Sequence, residues 1–382
     1  MVIEQLSSDI DIKGYLKTLN VDSGGVAIMA SKARLYTISI KGLHVGAANI
    51  LKQDALSVGA DLAVPRGTVT ASEKHVDTLL IATQKQLQLL SRKELAQPFG
   101  LKKLARQLQA ILKERKPEHC EVMGVINAND DSFFDKSRFK DEDALTMIEK
   151  MIEEGAEIID IGGVSSRPGS EEVSAEEELR RVKPVIDLLD GSPLLKRARF
   201  SLDTYQPSVA RYALERGFHI INDIRGLESD ELCEVASAFG ATVVIMHMRG
   251  RPQTMQQNLE YDDILDEIYR FFEERIEKAV RYGIEDIVLD VGIGFGKSLE
   301  DNLALITHLE HFMRLGKPLL VGASRKSMID RIDSAEVEER LGGTLALHLA
   351  AAKNGAAIVR VHDVKEHVQA LKVQKALYRG TL

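Results

Sequence analysis

From about residue 120 the chain keeps one rhythm: a short apolar run, a few polar or glycine residues, then a helix-like stretch, repeated eight times. The runs and their sequels are VMGVI then Asn127, EIIDI then GGVSSRPG, RFSL then Asp203, and FHII then Asn222-Asp223. There follow TVVIMHM then Arg249, DIVL then Asp290, PLLVGAS then Arg325-Lys326, and AAIV then Arg360 and His362. Eight strand–helix units in roughly 260 residues predict one closed (β/α)8 TIM barrel. Runs such as EIIDI and PLLVG are apolar on both faces, as strands covered by helices must be. A barrel of this kind carries its chemistry at the C-terminal ends of its strands, where the unusual residues of this chain cluster. An open doubly wound sheet would gather them at one switch point instead.

At 382 residues there is room for a small second domain. The charged segment KERKPEH (113–119), with Pro117, separates two styles of sequence and is read as the linker. Domains are therefore expected at 1–115, a small α/β N-terminal domain, and at 116–382, the barrel. In the first, 34–40, 61–65 and 77–83 read as strands, and 48–60, QLQLLSRKEL and LKKLARQLQAIL as helices. No catalytic constellation appears there. Its basic cluster (Arg92, Lys93, Lys102, Lys103, Arg106, Lys113, Arg115, Lys116) reads as a solvated helix face. In the barrel, helices are expected over 141–154, 174–190, 207–216, 229–239, 263–282, 299–314, 336–353 and 364–378, with Ser174 and Glu177 spaced as a capping box.

A net charge of −8 argues against a bulk nucleic-acid binder. Cys120 and Cys233 lack metal-ligand spacing and predict reduced thiols, hence a cytoplasmic protein. No signal peptide or membrane-length apolar run is visible. VGIGFGKS (291–298) fails the phosphate-loop pattern, because Val291 stands where the first glycine is needed. NANDDSFFD (127–135) lacks the glycine and distal glutamate of a calcium loop.

Two groups carry chemistry. Asp203, Asn222 and Asp290 end three strands; carboxylates accept paired N–H bonds from a guanidine-like edge, and a carboxamide both donates and accepts. The set suits a polar heterocycle. Lys326, Arg360 and His362 follow strands seven and eight, where barrels often bind phosphate. Asn127, with Asp135 on the loop beyond, supplies oxygens suited to Mg2+ beside phosphates. A heterocycle beside a diphosphate suggests substitution with pyrophosphate leaving, its charge stabilised by the cations. The loops 127–140 and 163–172 look like mobile covers.

MGVINANDDSFFD, DIGGVSSRPG, SLDT, IINDI, MHM, LDVGIGFGK, VGASRKS and RVHDV, in this order, resemble the bacterial dihydropteroate synthase family over about 118–380. The resemblance implies condensation of 6-hydroxymethyl-7,8-dihydropterin diphosphate with p-aminobenzoate, giving 7,8-dihydropteroate and pyrophosphate. It implies that Asp203, Asn222, Met246, Asp290 and Lys326 bind the pterin, and that Asn127, Arg360 and His362 hold the diphosphate. It places Asn127 and Asp135 near Mg2+, and Phe133, Ser166, Arg167, Pro168, Phe295, Lys326 and Ser327 around the aminobenzoate. Lys326, Asp203, Arg360 and His362 are then the catalytic set, in an SN1-like reaction that needs no side-chain nucleophile. A homodimer is also implied.

The chain departs from the family pattern in both loops. Asn129-Asp130 replaces Thr-Pro, Phe134 replaces Ser, Lys136-Ser137 replaces two glycines, and Val164 and Ser166 replace Glu and Thr. Val291 stands where a proline is usual. Two other readings keep part of the set. A pterin-dependent methyltransferase would not need SRKS or Arg360-x-His362, and a non-catalytic pterin-binding module would have no use for the diphosphate group.

Overall fold

The computed structural model describes the chain apart from residues 5, 7–9, 129–137, 166–169, 171, 252–254, 256–258 and 380–382, and gives backbone alone at 138–143, 378 and 379. The chain divides into two compact units: Met1–Arg115 together with the residues from Lys375 on, and Lys116–Gln374. The second unit thus begins inside KERKPEH. The sequence runs the barrel unit to 382, whereas the structure ends it at Gln374.

The first unit contains α1 (Ile12–Thr18), α2 (Ser23–Ala33), β1 (Leu35–His44), α3 (Val45–Ser57), β2 (Asp61–Ala63), β3 (His75–Thr83), α4 (Gln84–Lys93) and α5 (Leu101–Lys113). The strands form an antiparallel sheet in the order β1-β3-β2. Buried and exposed residues alternate along β3, so Val76, Leu80 and Ala82 join one core with Leu87 and Leu90 of α4. In α5, Leu101, Leu104, Ala105 and Leu108 recur at helical spacing and are buried. Lys102, Lys103 and Arg106 lie between them on the exposed face. α1 and α2 are absent from the sequence-based expectation.

The second unit is a closed barrel of eight parallel strands in the order β10-β11-β4-β5-β6-β7-β8-β9. The strands are β4 (Glu121–Asn127), β5 (Ile158–Gly162), β6 (Arg199–Asp203), β7 (Ile220–Asp223), β8 (Thr242–Met246), β9 (Ile287–Asp290), β10 (Leu319–Val321) and β11 (Ala356–Val361). Between and after them run α6 (Arg138–Glu153), α7 (Ala175–Leu189), α8 (Pro207–Leu214), α9 (Asp230–Phe239), α10 (Ile264–Arg281), α11 (Leu299–Thr307), α12 (Ser327–Ile332), α13 (Leu341–Lys353) and α14 (Val364–Arg379). The stretch 299–314, expected as one helix, breaks at His308 and continues as a 3-10 turn over Leu309–Leu315. The capping box at α7 forms only by half. Ser174 accepts from the Glu177 N–H, but the Glu177 carboxylate turns to Arg180 and Arg181.

Two apolar layers hold the barrel together. The larger packs the helices onto the outward strand faces, with Phe200, Phe272 and Phe312 wholly buried. The smaller fills the barrel itself, with Met123, Ile158, Ile220, Val244, Val288, Leu320 and Ile358, one from each strand except β6. In β6 the inward position is Ser201, whose hydroxyl is buried. Both cysteines are free. Among the described residues no helix is long and apolar enough to cross a membrane.

Candidate active site

Side chains on one face of a strand recur every second residue. Two residues beyond the apolar plug therefore comes the next inward layer: Asp160 above Ile158, Asn222 above Ile220, Met246 above Val244, Asp290 above Val288 and Arg360 above Ile358. Asp203 stands likewise above Ser201. An apolar floor with Ser201 in it thus carries a layer rich in polar groups at the C-terminal ends of the strands. Asp203, Met246 and Asp290 are the last residues of β6, β8 and β9.

Asp160 binds this layer together. It is wholly buried, and its Oδ2 accepts from the Asn222 amide at 3.1 Å and from Arg360 Nε at 2.6 Å. Arg360 Nη2 donates to Asp203 Oδ2 at 2.9 Å. One guanidinium therefore serves two carboxylates. Burial pushes the Asp203 carboxyl up to about 7 against the pull of Arg360, and Asp160, Glu178 and Asp223 add to the rise. Burial also raises Asp290, while the Gly292 N–H, which donates to its Oδ1 at 2.8 Å, and Lys326 oppose the rise.

Lys326 precedes α12, and its ammonium donates to the Ile293 carbonyl and lies 4.1 Å from the centre of the Phe295 ring. Burial lowers it to about 8, with Asp290 and Asp203 pulling upward. Phe295 sits in the glycine-rich turn after β9. That turn is pinned by Lys297, which is 2% exposed and donates to the carbonyls of His247, Gly292 and Phe295 at 3.1, 3.0 and 2.9 Å. Burial lowers the Lys297 ammonium to about 7.

The structure thus brings Asp203, Asn222, Met246, Asp290, Arg360 and Lys326 to one barrel mouth. Arg360 lies inside β11 rather than beyond it, and its head faces the carboxylates. His362 is exposed at the rim, its Nδ1 2.9 Å from Ser324 Oγ. Asn127 is exposed at the end of β4, and Ser327 opens α12. Phe133, Asp135, Ser166, Arg167 and Pro168 lie outside the described residues. No group of three His, Cys, Asp or Glu able to hold a metal occurs among the described residues. Asp160 and Lys297 are absent from the sequence-derived set.

The pterin-binding enzyme family model matches residues 123–362, and the chain belongs to that family. Within it the chain is similar to dihydropteroate synthases. A "bifunctional dihydropteroate synthase/dihydropteroate reductase" from Helicobacter pylori is 44% identical over 377 residues, covering 99% of both chains. The dihydropteroate synthase of Escherichia coli is 45% identical over 265 residues, 68% of this chain and 92% of that one. A crystal structure of the Yersinia pestis dihydropteroate synthase with a sulfonamide drug superposes with a TM-score of 0.63 at 41% identity, over 68% of this chain and 94% of the other.

Proposed function

We propose that the chain is a dihydropteroate synthase, condensing 6-hydroxymethyl-7,8-dihydropterin diphosphate with p-aminobenzoate to 7,8-dihydropteroate and pyrophosphate. The observation that carries this is the polar layer above the barrel floor, carboxylates, a carboxamide and Arg360 within, Lys326 and His362 toward the rim, in a chain of this family. Asp203, Asn222 and Asp290 hold the pterin edge, and Met246 lines its pocket. Asn127, Arg360 and His362 hold the diphosphate. Phe295, Lys326 and Ser327, with Phe133, Ser166, Arg167 and Pro168, surround the aminobenzoate.

The C–O bond to the diphosphate breaks and its electron pair leaves on oxygen. The amine lone pair forms the new C–N bond, and the nitrogen then gives up a proton. Lys326, Arg360 and His362 stabilise the charge that grows on the leaving group. The chain supplies position and charge, not a nucleophile. Asn127 is exposed, an amide oxygen is a hard donor of the kind Mg2+ takes, and Asp135 is its proposed companion. When bound, Mg2+ would neutralise charge on the diphosphate. The protein is proposed to work in the cytoplasm as a homodimer.

Pyrophosphate release with the dihydropterin diphosphate and Mg2+, with and without p-aminobenzoate, tests the assignment. Amine-dependent release with formation of dihydropteroate supports it. Pterin binding without release refutes it in favour of a methyltransferase or a binding module.

The match to the bifunctional relative runs through the first 115 residues as well as the barrel. That favours a second activity, reduction of the dihydropterin ring of the product by a hydride donor. Incubation with 7,8-dihydropteroate, reduced nicotinamide and flavin tests it. Nicotinamide oxidation that depends on dihydropteroate supports the activity, and its absence removes it.

A further inference from the structure

Beneath the cationic rim two histidines are buried to 1% exposure, His348 on α13 and His367 on α14. Neither belongs to the sites assigned above. The Ala323 N–H donates to His348 Nε2 at 2.9 Å, His348 Nδ1 lies 2.9 Å from His367 Nε2, and His367 Nδ1 lies 2.6 Å from the Asp363 carbonyl. Both ends of this chain are backbone groups of fixed polarity. An N–H can only donate, so His348 Nε2 accepts and the ring carries its proton on Nδ1. His367 Nε2 then accepts, and its own proton, on Nδ1, goes to a carbonyl that can only accept. Two neutral rings in one tautomeric order satisfy every ring nitrogen.

The two backbone ends are the roots of the cationic loops. Ala323 leads into Ser324-Arg325-Lys326, and Asp363 follows His362. Above the histidines the same loops are tied again. Arg325 donates to both carboxylate oxygens of Asp363 at 3.1 and 2.5 Å, and Ser324 Oγ accepts from the His362 N–H at 3.3 Å. The hydrogen bonds therefore close a ring through both loops. Arg325 holds a left-handed backbone, φ +56°, and its N–H is gripped by Thr344 Oγ1 at 3.0 Å. Thr344 is on the same helix as His348, so α13 fixes the turn at two points.

We propose that the His348–His367 pair is a positioning relay that sets Lys326 and His362 in register for the substrate's diphosphate. This rests on the diphosphate assignment above. Burial disfavours the charged form of both rings. At His348 the charges of His367, Lys326 and His362 add to the lowering, while at His367 Asp363 and Glu366 oppose it. A proton on His348 Nε2 would set N–H against the Ala323 N–H and break the relay.

The test compares the full-length protein with His348→Leu, His348→Gln and Thr344→Val. Calorimetry measures binding of inorganic pyrophosphate with Mg2+, and separately of 6-hydroxymethyl-7,8-dihydropterin, which lacks the diphosphate. His348→Leu should weaken pyrophosphate binding at least about tenfold, the scale of a buried hydrogen bond left unmade. Pterin binding should stay within about twofold, because the Asp203–Asn222–Asp290 layer is untouched. The Gln amide offers one acceptor and one donor and should restore most of the loss. Thr344→Val, a smaller change that tests the same grip should His348→Leu fail to fold, should show the same split. Equal loss for both ligands, or no loss for pyrophosphate, would overturn the relay. Wild-type protein that binds the pterin but not pyrophosphate would instead overturn the diphosphate assignment on which it rests.

Discussion

Arg360 faces Asp160 and Asp203 at 2.6 and 2.9 Å, and this sharing decides how the pocket responds to pH. Burial pushes the Asp203 carboxyl up to about 7, and a guanidinium shared with Asp160 opposes that rise only in part. A pterin edge that donates N–H bonds needs the ionised carboxylate, so below pH 7 binding must expel a proton. Affinity should therefore rise with pH by up to tenfold per unit and level off above 7. Asp203→Asn should bind weakly at every pH and lack this slope; a slope that survives the substitution would assign the proton elsewhere. Lys326→Ala removes a cation from the leaving-group side and should lower turnover about 100-fold or more, since removal of one preorganised donor typically has that effect. Near wild-type turnover would exclude Lys326 from the chemistry.

At the scale of elements, the glycine-rich turn after β9 is the most constrained piece of the site. Gly292 has φ +67°, and a Cβ there would lie 2.0 Å from the His247 carbonyl oxygen, a backbone atom that cannot step aside. Gly292→Ala should destabilise the protein by more than about 2 kcal/mol, seen as a melting temperature lower by several degrees. Gly342, in the first turn of α13, has open space around it and no positive φ. Gly342→Ala should be neutral or stabilising by up to about 1 kcal/mol, and a comparable loss at both positions would show that glycine content alone sets the effect. The barrel strands were legible in the sequence because strands buried on both faces read as unbroken apolar runs. α2 was not, because SGGVAIMASKA has two glycines and no clear apolar stripe, and α12 is only six residues long. Asp203, Asn222 and Asp290 were legible as polar residues following apolar runs. Asp160 was hidden inside EIIDI, where only counting two residues on from Ile158 would have placed it in the pocket. Lys297 was hidden by its neighbours, which read as a failed phosphate loop and drew notice away from a lysine that serves three carbonyls.

Across the whole molecule the assigned chemistry is confined to one unit. From Asn127 to His362, every described residue of the candidate site lies within Lys116–Gln374, and that unit has its own apolar floor and its own helix layer. The first unit has a separate core around Leu51, Leu80, Leu87 and Leu108. A unit with its own core can fold by itself. A chain of residues 116–382 should therefore release pyrophosphate in the condensation reaction with a KM within about threefold of the full chain, because no group assigned to either substrate is removed. Residues 1–115 are shared with a relative that carries two activities in its name, so reductase activity is the property their removal should test. If the shortened chain folds, binds the pterin and still fails to condense it with p-aminobenzoate, the first unit supplies something the barrel lacks. Retained condensation with lost reduction would instead divide the two activities between requirements: the barrel alone for the first, the whole chain for the second.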